Sequence, residues 1–168
     1  AAGPALITMA LVVINASTPF KVQTATFNKL RLIISVSAVI NLIMLFSEIF
    51  KEFYSPTHHS LSAIYLFFGL EGHNSLVPWI WTAIIMNISA TFVLAMNFVK
   101  NKPKFLFPAA MVLFVAIWIE KGVGLIVPGL IPSPLGEVVD YSPTGIEIMV
   151  TLGVLALGVL VTTLLMKP

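Results

Sequence analysis

Glu120 and Lys121 interrupt one of the most apolar stretches of the sequence. Phe105 to Ile119 precedes them without a charge, and apolar character resumes from Gly122 to Val127. At ~1.5 Å per residue, Glu120 lies roughly 22 Å beyond Phe105 if the stretch is one helix, still inside a membrane's hydrocarbon core. An ionisable group at that depth costs at least ~2.5–3.5 kcal/mol, and is a functional candidate by default. A carboxyl placed there could exchange protons with a bound molecule. The alternative is a pair near a helix end, with Lys121 reaching back to the headgroups. Neighbouring helix positions diverge by about 100°, so the two side chains are not expected to pair with each other.

A second group follows an apolar stretch too short to span, Ser60–Leu70. Glu71-Gly72-His73-Asn74 sets a carboxylate, an imidazole and an amide side by side. Such a set could hold a quinone carbonyl or relay a proton. Glu120, His73 and Glu71 are therefore the catalytic candidates, and His73, Asn74 and Trp79 the quinone-binding ones. The same residues read equally well as a helix start, with Asn74 or Ser75 as N-cap ahead of Pro78. Trp79, Trp81 and Trp118 read equally well as an aromatic belt at a membrane interface. Asn41 and Asn87, near mid-span, suit hydrogen bonds between helices, and Glu48 falls near a span end.

Other chemistries are excluded more directly. There is no Cys, so the chain holds no iron–sulfur cluster in the usual way, no c-type haem and no redox disulfide. No His lies within a span, which argues against a bis-His haem, and His58-His59 lacks ligand partners at metal spacing. No phosphate loop, dinucleotide fingerprint or nucleophile elbow is present. The basic residues flank apolar spans, so nucleic-acid binding is not expected.

The elements that must position these groups follow from composition. Of 168 residues, 58% are hydrophobic and 10% charged, and mean hydropathy is +1.02. A soluble domain carries ~45–50% apolar residues, and a disordered one fewer still. The reading is an all-α polytopic membrane bundle of five spans, at about 1–16, 30–50, 77–99, 105–127 and 146–166. The first span is short and opens inside an apolar run at Ala1-Ala2-Gly3-Pro4, without a basic leader. The expectation is that an upstream portion is missing.

Five spans sort the charges. One side receives Lys21, Lys29, Arg31, Lys100, Lys102, Lys104 and Lys167 and no acid. The other receives Lys51 and Lys121 with Glu48, Glu52, Glu71, Glu120, Glu137, Asp140 and Glu147, together with every His and Tyr. By the positive-inside rule the lysine-rich side is cytoplasmic and the His- and acid-rich loops face outward. Ser60–Leu70 is expected to be an interfacial or re-entrant helix. Pro128 to Glu137, rich in Pro and Gly, is expected to be a non-helical bracket on the outer face. Thr144-x-x-Glu147 has the form of a capping box opening the last span.

The run Trp118-Ile119-Glu120-Lys121-Gly122-Val123-Gly124-Leu125-Ile126-Val127-Pro128-Gly129 is followed by Pro132-Ser133-Pro134-Leu135-Gly136-Glu137 and Tyr141-Ser142-Pro143-Thr144. It resembles the NrfD/PsrC family, the membrane subunits of polysulfide reductase, nitrite reductase and sulfite-reduction-associated complexes. The likeness is greatest to the DsrP- or Hme-type subunits of sulfate-reducer respiratory complexes, and it covers most of spans three to five. It implies a protein of eight to ten spans in two bundles, of which this chain is the C-terminal part, in a prokaryotic inner membrane. It implies electron exchange between membrane quinone, menaquinone in many hosts, and a ferredoxin-like iron–sulfur partner subunit of a multisubunit oxidoreductase. No haem or cluster is then held by this chain. The family's quinone pocket lies toward the outer face and draws largely on the N-terminal bundle. Glu120 and Glu137 carry over as proton-handling or structural residues. Two other readings stand beside this one: a structural or proton-conducting anchor with no quinone site, and a secondary transporter, for which matched broken helices are not evident.

Overall fold

A computed structural model describes residues 1–19, 21–54, 60–96, 99–100, 102–131, 138 and 144–165. The described residues form helices α1 (Ala2–Ser17), α2 (Thr24–Tyr54), α3 (Ser60–Phe67), α4 (Val77–Ala95), α5 (Pro103–Trp118), α6 (Gly124–Ile126) and α7 (Gly145–Leu165). A π-helical turn at Ile119–Val123 joins α5 to α6, and a single 3-10 turn, Pro128–Leu130, follows. Helix is the only regular structure that closes every backbone hydrogen bond within one segment, which an apolar solvent demands.

Among the described residues, four helices are long and apolar enough to cross a membrane: Thr24–Tyr54, Val77–Ala95, Lys104–Ile126 and Gly145–Leu165. Ala2–Ser17 is apolar but shorter. The second span runs well beyond the expected 30–50, and at ~1.5 Å per residue its 31 residues reach about 46 Å, longer than a ~30 Å core. Hydroxyls within these helices are satisfied locally. Thr8, Ser35, Ser47, Thr82, Thr151, Thr162 and Thr163 each donate to the carbonyl four residues earlier. That economy suits surroundings that offer no water.

The bundle is made by α1, α2, α4 and α5, with α4 and α5 packed as an antiparallel pair. Small residues line the seams: Ala5, Ala38, Ala90, Ala109 and Ala110 are buried and allow close approach of the backbones. Two apolar clusters result. One holds Phe27, Ile34, Ala38, Leu94, Val99, Leu106 and Leu113, and the other Leu45, Tyr65, Leu66, Phe67, Ile80 and Ile84. Along α2 and α4 the boundary between the clusters falls at Asn41 and Asn87. Helix α7 buries nothing against the rest, so its apolar surface is left for lipid or further protein.

At one end of the bundle Arg31 ties α2 to the end of α4. Its Nη1 donates to the carbonyls of Leu94 at 2.6 Å and Met96 at 3.2 Å. The first lies in the last turn of α4 and the second at its C-cap, where carbonyls lack intrahelical partners, and a cation there also meets the negative end of the helix dipole. At the other end α3 packs against α2, α4 and the 3-10 turn. Ser62 Oγ donates to the Ile131 carbonyl at 2.6 Å, and Trp81 Nε1 to the Phe67 carbonyl at 3.1 Å. Phe67 lies edge-on to both Phe53 and Trp81. The short apolar stretch is therefore a helix, as expected, held by aromatic contacts and hydrogen bonds.

Two readings of helix starts are resolved. The reciprocal capping box is present: the Thr144 N–H donates to Glu147 Oε2 at 2.7 Å, and the Glu147 N–H to Thr144 Oγ1 at 3.4 Å. For α4 the N-cap position is Leu76, not Asn74 or Ser75, and Leu76 makes no side-chain cap hydrogen bond. Pro128–Leu130 is also helical for its single turn, and 132–137, the remainder of the expected bracket, lies outside the described residues.

Replacing Arg31 by Met should remove both hydrogen bonds to the α4 terminus and destabilise the fold by about 1.5–3 kcal/mol. Thermal unfolding of the detergent-solubilised protein would register this as a lowered midpoint, with Arg31→Lys intermediate.

Candidate functional site

Glu120 is 4% exposed, in the second position of the π turn. The helical segment continues past it to Ile126, so Glu120 lies inside an apolar segment, six residues short of its end. The π turn follows where Glu-Lys-Gly breaks the apolar run, and its i→i+5 closure is seen where the Gly124 N–H donates to the Ile119 carbonyl. A Cβ on Gly124 would meet Ile80 Cδ1 at 3.0 Å, so glycine there lets α6 lie close against α4. Helical side chains lean toward the N-terminus, which sends the Glu120 carboxylate back into the bundle.

Its two oxygens meet different surroundings. Oε2 accepts from Asn87 Nδ2 at 2.8 Å and from Asn41 Nδ2 at 3.4 Å. Asn87 is fully buried, and its Oδ1 accepts in turn from Thr91 Oγ1 at 3.4 Å. Asn41 and Asn87 thus make the interhelical hydrogen bonds expected of them, with Glu120 as the shared acceptor. Asn87 is ten residues from the start of the 19-residue α4, which sets this polar layer near that helix's midpoint. Oε1 lies 3.0 Å from Lys121 Nζ, close enough for an ion pair, yet no donor is aligned on it as a hydrogen bond.

The expectation that Glu120 and Lys121 would not pair is therefore corrected. It assumed regular α spacing, whereas the π turn changes the angle between successive residues and the long lysine stem curls back. The pair is asymmetric: the glutamate side chain is 2% exposed and the lysine 42%. One charge is inside the bundle and its counter-charge is at the surface.

That surface is a cleft of about 410 Å³. Leu45, Glu48, Ile49, Lys51 and Glu52 of α2 form one wall, and α3 forms another through Ser62, Ala63, Leu66 and Phe67. Ile80, Glu120, Lys121, Gly124, Leu125, Pro128 and Gly129 complete it. Its polar equipment is three carboxylates and two ammonium groups, while the Ser62 hydroxyl is already spent on Ile131.

The other candidates stand elsewhere. Glu71, His73, Asn74 and Trp79 do not line this cleft. Glu71 (φ 52°) and Gly72 (φ 88°) are the central pair of a turn closed by two backbone hydrogen bonds between Leu70 and His73. Positive φ at both positions is the pattern of a type I′ turn, in which a glutamate is unusual and strained. Glu71 and Asn74 are exposed and His73 is half-buried. The Asn74 side chain fills the space a Cβ on Gly69 would need. Trp79, Trp81 and Trp118 are about half exposed on their helices. His58, His59, Glu137, Asp140 and Tyr141 lie outside the described residues. Among the described residues no cluster of three metal-ligating side chains occurs.

Sequence reasoning ranked Glu48 low and did not single out Lys51, Glu52 or Thr91. The i, i+4 spacing of Asn87 and Thr91 was the available signal for the last of these.

Asn87→Leu should leave Glu120 Oε2 without its shortest donor and cost about 2–4 kcal/mol, the penalty of an under-satisfied buried charge. Glu120→Gln, neutral and of the same shape, should cost less. Denaturation midpoints of the two variants in one detergent would establish that order.

No protein-family model, curated protein or solved structure matches this chain.

Proposed function

We propose that the chain is the quinone-interacting integral membrane subunit of a multisubunit respiratory oxidoreductase. It exchanges electrons between the membrane quinone pool, menaquinone by the resemblance noted above, and a ferredoxin-like iron–sulfur subunit. The observation that carries this reading is the buried Glu120 carboxylate, bonded inward to Asn87 and paired outward with a lysine at a cleft. A volume of about 410 Å³ falls within the ~300–1,000 Å³ usual for small-molecule sites. The mixed lining, apolar from Leu66, Phe67, Ile80 and Leu125 and charged at Glu120, Lys121 and Glu48, suits a flat ring with polar edges.

Electron transfer to or from a quinone is accompanied by protons, and in this reading Glu120 supplies or receives them. Lys121 donates to an oxygen at the mouth of the cleft and moderates the charge of the carboxylate behind it. The turn bearing Glu71 and His73 enters α4 just before Ile80, a cleft residue, and offers a further station toward the outer face. The charge sorting supports a cytoplasmic lysine-rich end, and the prokaryotic inner membrane follows from the resemblance.

A second reading has its own observation. Oε2 faces the polar layer of the bundle, which favours a proton-conducting anchor whose quinone binds in another subunit.

Glu120→Gln in the assembled complex should slow quinol-coupled turnover by about a hundredfold while the subunits still copurify. Unchanged turnover would overturn the reading. A photoreactive quinone analogue should label the peptide containing Lys121, and labelling confined to partner subunits would favour the anchor.

A further inference from the structure

The end of the bundle opposite the cleft carries a feature that the proposed function does not use. Two basic segments far apart in sequence are brought to one place there. Lys21, Lys29 and Arg31 belong to the start of α2 and the loop before it, Lys100 and Lys102 to the connection between α4 and α5, and Lys104 to the first turn of α5. Arg31 joins them directly by gripping the Leu94 and Met96 carbonyls. Beyond them the Val99 N–H donates to the Met96 carbonyl and the Lys102 N–H to the Val99 carbonyl. Phe27, Val99 and Leu106 share one buried cluster, which locks the α2 start against this connection.

The five lysines are exposed, and neither segment contains an acid: residues 15–31 and 94–106 have no Asp or Glu. Some of the cations are oriented by local contacts. Lys21 Nζ donates to the Asn15 carbonyl at 3.1 Å, and Lys102 Nζ stands 5.8 Å from the centre of the Phe105 ring. Arg31 Nε is buried and has no hydrogen-bond partner among the described residues.

Immediately beside these charges lies exposed hydrocarbon. Leu32, Ile33 and Val36 follow Arg31, Phe105 follows Lys104, and Met111 lies two turns further along; all are about half exposed. Six cations above an apolar collar match a ligand with an anionic head and long apolar tails. An acidic protein would satisfy the charges but not the collar. We propose that this end is a binding surface for anionic phospholipid, the phosphate seated between the start of α2 and the α4–α5 connection with the acyl chains along α2 and α5.

The test is lipid selectivity of the full chain in phosphatidylcholine vesicles, read by electron spin resonance with spin-labelled phosphatidylglycerol against spin-labelled phosphatidylcholine. Each cation near the surface is worth about a fivefold preference, so the wild type should retain the anionic lipid by at least that factor. The preference should fall to parity as salt screens the surface, a measurement that needs no variant. It should be lost in the combined Lys29→Gln, Lys100→Gln, Lys102→Gln and Lys104→Gln variant and kept in Lys51→Gln, at the opposite end. Equal retention of the two lipids by the wild type would overturn the proposal, as would selectivity that survives either salt or the fourfold substitution. Capture of an acidic subunit through these lysines, with no lipid preference, would overturn it in favour of a protein partner.

Discussion

A carboxylate held at mid-bundle in an apolar chain is the constraint around which the other helices are arranged. Leaving Glu120 charged without partners would cost several kcal/mol, more than any one helix contact returns. Three elements answer it: Asn41 from α2, Asn87 from α4 and Lys121 from the π turn itself. Because the donors come from different helices, satisfying the charge also fixes how α2, α4 and α5 are rotated and registered. The polar layer does in this bundle what a buried asparagine does in a coiled coil, choosing one packing among several of similar apolar area.

The apolar seams on either side of that layer are permissive by comparison. Lipid chains are as apolar as the side chains they replace, so packing of small residues, rather than exclusion of water, holds the helices together. Ala38, Ala90 and Ala110 let backbones approach, and Arg31 secures the end of α4 where its carbonyls lack intrahelical partners. Helix α7 lacks both devices and buries none of its surface against the rest.

The two ends of the molecule consequently differ in kind. One gathers cations without acids around the start of α2, the end of α4 and the first turn of α5. The other opens into a cleft where α3, the last turns of α2 and the π turn meet, with Glu48, Lys51, Glu52, Glu120 and Lys121 on its walls. The asymmetry of the Glu120–Lys121 pair links that cleft to the interior: an ammonium in contact with the surface and its carboxylate in contact with buried asparagines. Five titratable side chains, three carboxylates and two ammonium groups, are what these walls bring together.

Much of this was determined locally and was legible in the order of residues. Apolar runs of the right length specify helices because no other open structure satisfies its backbone in hydrocarbon, and four helices long and apolar enough to cross a membrane stand at nearly the expected places. The Thr144–Glu147 box was readable for the same reason, since both its hydrogen bonds close within one turn. That Glu120 interrupts an apolar run was also evident, because such a charge is visible without knowing its neighbours. What only the tertiary structure decided were the partners. Asn41 and Asn87 are 79 and 33 residues from Glu120, and nothing local says that they meet there. The pairing of Glu120 with Lys121 turned on a π turn that periodicity does not announce. The candidate status of Glu71 and His73 rested on residue type alone, whereas backbone geometry places them in a tight turn ahead of α4 and gives the cleft to charges from α2. Side-chain chemistry is a property of each residue, but a site is a property of distances, and those are set only when the helices pack.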